Sequence, residues 1–152
     1  MRPWIIAIRP ATPEDATEIV GLVERAYRPY VERIGRAPVP LDSDPEALIA
    51  DEQVYVLTEG STVAGLIVLR PGSDHLLVEN VAVDPDRQHC GNGRALLDFA
   101  ERHGRELGFQ ELRLYTNAAM TENIALYPRL GWSEYDRRVE DGFSRVYFRK
   151  GV

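Results

Sequence analysis

Leu76-Leu77-Val78-Glu79-Asn80-Val81-Ala82-Val83 runs through Asp84-Pro85-Asp86-Arg87 into Gln88-His89-Cys90-Gly91-Asn92-Gly93 and then Arg94-Ala95-Leu96-Leu97. The first stretch, apolar and bounded by turn residues, predicts a strand over about 75–83, and the last opens an amphipathic helix over about 92–107. A strand, a tight glycine loop and a helix N-terminus in that order form a backbone cradle for phosphate. The first helical N–H groups have no intrahelical acceptor and carry partial positive charge. The expectation is a phosphorylated cofactor bound at this loop. A dinucleotide loop fits less well, because Gly91-Asn92-Gly93-Arg94-Ala95-Leu96 lacks the third glycine of that pattern.

Toward the N-terminus, residues 4–9 read as a strand, and Thr12-Pro13-Glu14-Asp15 supplies a cap, a proline at the first helical position and acids in the first turn. The helix that follows carries an apolar stripe of Ala16, Ile19, Val20, Val23 and Tyr27, and Arg28-Pro29 is expected to end it. Residues 30–42 form a long connection, Ser43-Asp44-Pro45 opens a short second helix, and Gln53–Glu59 with Thr62–Arg70 make a hairpin around Gly60-Ser61. Toward the C-terminus, the 92–107 helix places Leu96, Phe99, Ala100, His103 and Leu107 on one face, with Asp98/Arg102 and Glu101/Arg105 as charge pairs on the other. Glu111–Thr116 is a strand and Ala119–Leu130 a helix, and Trp132–Val139 with Phe143–Arg149 form a hairpin around Asp141-Gly142. Together these elements predict one mixed α/β domain over residues 1–152, with a mostly antiparallel central sheet flanked by helices.

Composition narrows the partners. With 152 residues, 18 basic and 24 acidic side chains, the formal charge is −6, which disfavours a general nucleic-acid partner. Lys150 is the lone lysine; the abundance of arginine is read as genome composition in preference to anion recognition. Cys90 has no second cysteine to pair with, and the apolar run near the start is too short for a signal peptide or a membrane span. A soluble cytoplasmic protein without a membrane partner is expected.

The stretch Val83-Asp84-Pro85-Asp86-Arg87-Gln88-His89-Cys90-Gly91-Asn92-Gly93-Arg94-Ala95-Leu96-Leu97 resembles the acetyl-CoA signature of the GCN5-related N-acetyltransferases (GNAT), Gln/Arg-x-x-Gly-x-Gly/Ala. Ile8-Arg9-Pro10-Ala11-Thr12-Pro13-Glu14-Asp15 is similar to that family's first strand, and Leu126-Tyr127-Pro128-Arg129-Leu130-Gly131-Trp132 to its Leu-Tyr-x-x-Leu-Gly-aromatic segment. The three matches come in the family's order and span nearly the whole chain. Three departures stand out. His89 occupies a place where glycine is common, Pro128 removes a donor inside a helix and should kink it, and Met120 replaces an asparagine one turn before Asn123.

The resemblance implies acetyl-CoA or coenzyme A as co-substrate, with no metal. Amides from Gln88, His89, Cys90, Gly91, Asn92, Gly93 and Arg94 would hold the diphosphate. The strand end at Val81, Ala82 and Val83 would splay from its neighbour and offer its edge to the pantetheine arm, and Asn123 is a further, less secure cofactor contact. Tyr127 resembles the family's general acid, and a phenol of ordinary pKa near ~10 is a sensible donor to a departing thiolate. Glu79 is the candidate base. Alternation would place it on one face with Leu77, Val81 and Val83, partly desolvated, which raises a carboxylate's pKa. An ion-paired strand glutamate and a water relay are the open alternatives.

His89 and Cys90 do not make a nucleophile pair, since adjacent residues point apart and no third group orients the histidine. His103 reads as a core group. The implied activity is direct transfer of acetyl to a primary amine in a ternary complex. The amine is expected on a small molecule, with the segment from Tyr27 to Leu41, including Arg28, Tyr30, Arg33 and Arg36, covering it. Acetylation of a protein or peptide, a non-catalytic acyl-CoA sensor on the same fold, and a homodimeric state remain open alternatives.

Overall fold

A computed structural model describes residues 6–34, 45–87 and 91–152. Seven strands make one mixed sheet in the order β1-β2-β3-β4-β5-β7-β6, and helices flank it. The strands are β1 Ile6–Pro10, β2 Val54–Glu59, β3 Thr62–Pro71, β4 Leu76–Val83, β5 Glu111–Asn117, β6 Ser133–Glu140 and β7 Phe143–Gly151. The helices of the described residues are α1 Ala16–Ile34, α2 Pro45–Ala50, α3 Asn92–Glu106 and α4 Thr121–Arg129. Antiparallel pairing joins β1 to β2, β2 to β3, β5 to β7 and β6 to β7, and β4 runs parallel to β5. The mixed, mostly antiparallel sheet is the one expected. The described residues fall into two compact units, one reaching to Leu69 and including Asn80–Ala100, the other made of Arg70–Glu79 and Glu101–Val152.

In the first unit the Thr12-Pro13-Glu14-Asp15 signal works as a start device. The Asp15 carboxylate accepts from the Thr12 amide at 2.8 Å and from the Arg9 guanidinium at 2.7 and 3.0 Å. Hydrogen bonding from Arg9 pulls its pKa down to about 2 against the cost of burial. Beyond that start, α1 departs from expectation. It continues through Pro29 to Ile34, because Pro29 lies on the exposed side, where water can meet the carbonyl that loses its helical partner. Its buried stripe is Ile19, Leu22 and Val23, with Ala16, Ala26 and Tyr27 packed against it, while Val20 is exposed. The expected acceptor cover thus begins as helix, and residues 35–41 lie outside the described residues.

The β2–β3 hairpin is buried along nearly its whole length, as strands covered on both faces are. Gly65 shows how closely α3 lies on it, since a Cβ there would come within 3.1 Å of the Ala82 carbonyl and of Leu96. The neighbouring Leu66 packs instead with Ile19 and Leu22 of α1, so the two helices cover opposite faces of this unit's strands.

In the second unit Leu76, Val78, Leu112, Leu114, Val146 and Phe148 are buried. Gly104 of α3 sits tight against them, its absent Cβ only 3.0 Å from Leu112. Leu107 is exposed, one residue past the end of α3, and does not join the apolar face expected of it. Asp141 and Gly142 both take positive φ, 53° and 79°, the two-residue turn that suits a twisted hairpin. Lys150 pairs with Glu101 at 3.1 Å and donates to the Leu130 carbonyl at 2.8 Å, tying β7 to the end of α4.

Candidate active site

The loop between β4 and α3 is built on fixed stems. The Asp84 amide donates to the Ala64 carbonyl at 2.8 Å, and its carboxylate caps the Asp86 amide at 3.0 Å and pairs with Arg25 of α1 at 2.9 Å. A 3-10 turn over Pro85–Arg87 follows. Gln88, His89 and Cys90 lie outside the described residues. Gly91 has φ +81°, which favours glycine, and the first helical bond runs from the Ala95 amide to the Gly91 carbonyl at 3.0 Å. The Gly93 and Arg94 amides therefore precede the helical ladder.

Gly93 is telling for a different reason. Among the described residues a Cβ there would meet only a Val83 methyl, at an ordinary 3.8 Å, so their packing does not require glycine. Glycine in a helix costs about 1 kcal/mol against alanine. Beneath these residues lies a cluster that sequence reasoning missed. Glu59, at the end of β2 with a side chain 2% exposed, pairs with Arg87 and accepts from the Asn92 side-chain amide at 2.8 Å. The same amide lies 3.3 Å from the Arg87 carbonyl.

Along β4 the registered ladder to β5 covers Leu76 to Val78 and stops, although β4 runs on through Val81 and Ala82 to Val83. Within the second unit Leu76 packs near Gly104 of α3. Within the first, Asn80 accepts a short hydrogen bond from Tyr27 of α1, Ala82 joins the α1 core, and Val83 lies near Gly93 of α3. Glu79 is the last residue of β4 in the second unit. Its carboxylate pairs through Oε2 with Nε of Arg70 and is 25% exposed, the ion-paired alternative.

In the second unit the Tyr127 ring is buried against Phe148 at 5.5 Å and Trp132 at 6.0 Å. Burial pushes its phenol up to about 12. Among the described residues the Tyr127 hydroxyl makes no hydrogen bond. Pro128 sits next to last in α4, which ends at Arg129; Gly131 with φ +92° then turns the chain so that the Trp132 amide reaches the Tyr127 carbonyl at 3.1 Å. Asn123 spends its amide on Thr116, 3.2 Å away. Tyr115, absent from the sequence-level candidates, lies under the Arg145 guanidinium at 4.5 Å; burial raises its phenol, against the opposing pull of the Arg145 charge. Among the described residues no group of three His, Cys, Asp or Glu is placed to hold a metal ion.

The sequence profile of the Acetyltransferase (GNAT) family matches residues 18–132. The chain belongs to this family. It is 35% identical over 80 residues to the ribosomal protein bS18-alanine N-acetyltransferase of Escherichia coli K12, covering 53% of this chain and 54% of that protein. It is 28% identical over 149 residues to the mycothiol acetyltransferase of Pseudarthrobacter chlorophenolicus, covering 92% of this chain and 46% of the relative. The chain thus spans about half the length of these curated relatives. The PaiA N-acetyltransferase of Thermoplasma acidophilum in complex with coenzyme A has the same fold, with a TM-score of 0.80 at 20% identity over 97% of this chain and 99% of that one.

The residues expected to form the site divide between the two units. The first holds Val81, Ala82, Val83, Gly91, Asn92, Gly93 and Arg94, and the second holds Glu79, Asn123 and Tyr127. Of the residues that sequence reasoning missed, Glu59 carried one signal, an acid closing an otherwise apolar strand. Arg70 and Tyr115 carried none, because their importance lies in cross-strand neighbours. No helix of the described residues is long and apolar enough to cross a membrane.

Proposed function

We propose that the chain is an acetyl-CoA-dependent N-acetyltransferase that moves the acetyl group directly to a primary amine in a ternary complex, its two units acting as one domain. The observation that carries the reading is the first turn of α3, where Gly91 takes a left-handed φ and, among the described residues, only a Val83 methyl comes near the place of a Gly93 Cβ. In this reading the amides of residues 88–94 hold the diphosphate, and the β4 edge at 81–83 lies along the pantetheine arm. Asn123 stays a further contact in this reading, its NH2 donating to Thr116 and its side-chain oxygen left to the cofactor.

Coenzyme A supplies the activated thioester; this chain's residues handle the protons. Forming the C–N bond releases a proton from the amine, and breaking the C–S bond leaves a thiolate. Glu79, held by Arg70 through one oxygen, is the acceptor of the amine proton. Tyr127 stays protonated at neutral pH, and its hydroxyl, unengaged among the described residues, is the donor to the departing sulfur in this reading. With a pKa of about 12 it is a weaker acid than a thiol near ~8.5, so a hydrogen bond short of full transfer carries most of its effect.

The acceptor is proposed to be a small-molecule amine, and the site is assigned to the cytoplasm, where acetyl-CoA is available. A peptide N-terminus is the second reading, favoured by the similarity to the alanine N-acetyltransferase. Release of free thiol from acetyl-CoA, followed against a panel of small amines and of peptides with free N-termini, tests both. Turnover with small amines supports the first reading and turnover with peptides alone the second. Coenzyme A binding without turnover on any amine would leave an acyl-CoA sensor.

A further inference from the structure

We propose that Glu59, acting through Asn92 and Arg87, is the positioning residue that clamps both stems of the diphosphate loop; the inference rests on the cofactor reading of residues 88–94. Arg87 ends the turn that enters the loop, and Asn92 is the first residue of the helix that leaves it. Glu59 grips both: Oε2 takes the Arg87 guanidinium, and Oε1 takes the Asn92 amide at 2.8 Å. The Asn92 amide also reaches the Arg87 carbonyl, 3.3 Å away, so the stems are tied to each other as well. The anchor is firm, because Glu59 closes a strand whose side chains are nearly all buried and registers with Thr62 across the hairpin.

Charge alone argues against this arrangement. A carboxylate buried beside a loop that must hold a diphosphate repels the ligand, and its own burial is costly unless it is paired. Arg87 offsets both effects, but an apolar side chain at residue 59 would avoid them altogether. What the carboxylate offers is geometry. Two acceptor oxygens on one rigid group can hold two donors from two stems at once. Glutamine has one acceptor and one NH2, so it can satisfy Asn92 or Arg87 but not both.

Geometry and charge therefore predict opposite outcomes for Glu59→Gln. Removing a negative charge near the diphosphate should tighten coenzyme A binding, whereas loosening the clamp should weaken it. Calorimetric titration of the full chain with coenzyme A, and with pantetheine, which lacks the diphosphate, separates them. The clamp predicts that Glu59→Gln raises the Kd for coenzyme A by about tenfold or more and leaves that for pantetheine unchanged. Asn92→Ala, which keeps the Glu59–Arg87 pair and serves where Glu59→Gln folds poorly, should show a smaller loss of the same kind. Unchanged or tighter coenzyme A binding by Glu59→Gln would overturn the proposal, as would an equal loss for both ligands. Wild-type protein that does not bind coenzyme A would instead sink the cofactor reading, and the clamp with it.

Discussion

Two carboxylate–arginine pairs, built from the same chemistry, sit in different surroundings. Glu59–Arg87 in the first unit has side chains 2% and 33% exposed and is braced by Asn92, whereas Glu79–Arg70 in the second is 25% and 47% exposed. A buried pair that loses one partner leaves a charge without solvent, while a half-exposed pair can exchange its partner for water or substrate. The difference separates a pair whose loss strands a buried charge from one whose carboxylate can be shared with solvent.

The largest expected effect is on catalysis. Glu79→Gln and Tyr127→Phe should each lower kcat by about 10²-fold, the lower range for a positioned acid or base, with coenzyme A affinity unchanged. Steady-state rates beside calorimetric Kd values check this, and a matching fall in affinity would put either residue with the binding elements instead. Stability should run the other way. Glu59→Ala should lose about 2–4 kcal/mol in urea unfolding, discounted for the partial exposure of Arg87, and Glu79→Ala less than about 1 kcal/mol. Equal losses would erase the contrast between the pairs.

Smaller effects sharpen the same contrast through pH. The Tyr127 phenol is raised from 10 to about 12, so folding favours its neutral form. That contribution is whole below pH 10 and is lost as pH rises through about 12. Tyr127→Phe should therefore flatten the alkaline fall in stability over that range. Asp15 is the mirror case, lowered from 3.8 to about 2 chiefly by the Arg9 hydrogen bond. Its contribution is whole above pH 3.8 and lost as pH falls through about 2, so Asp15→Asn should lessen the acid dependence of unfolding there. Melting curves across pH for the variants and the parent decide both.

What was legible in the sequence follows the range of the interactions. Asp141-Gly142 and Thr12-Pro13-Glu14-Asp15 were read correctly because turn and cap chemistry is settled within a few residues. The left-handed Gly91 was legible for the same reason. The end of α1 was misplaced because Pro29 disfavours a helix only where the freed carbonyl has no other partner, and exposure supplies water. Val20 was put on the buried stripe and Leu22 was not, since a stripe counted from Ala16 drifts from the one that tertiary packing selects. Glu59 was missed because its partners lie 28 and 33 residues away.

The bare first turn of α3 is the point on which the account stands, and heat tests it directly. Saturating coenzyme A should raise the melting temperature of the parent chain, as mass action requires of a ligand for the native state. Gly93→Val, whose Cβ would meet only a Val83 methyl among the described residues, should fold normally and lose that rise. A rise that persists undiminished in Gly93→Val, or no rise in the parent chain, would contradict the account.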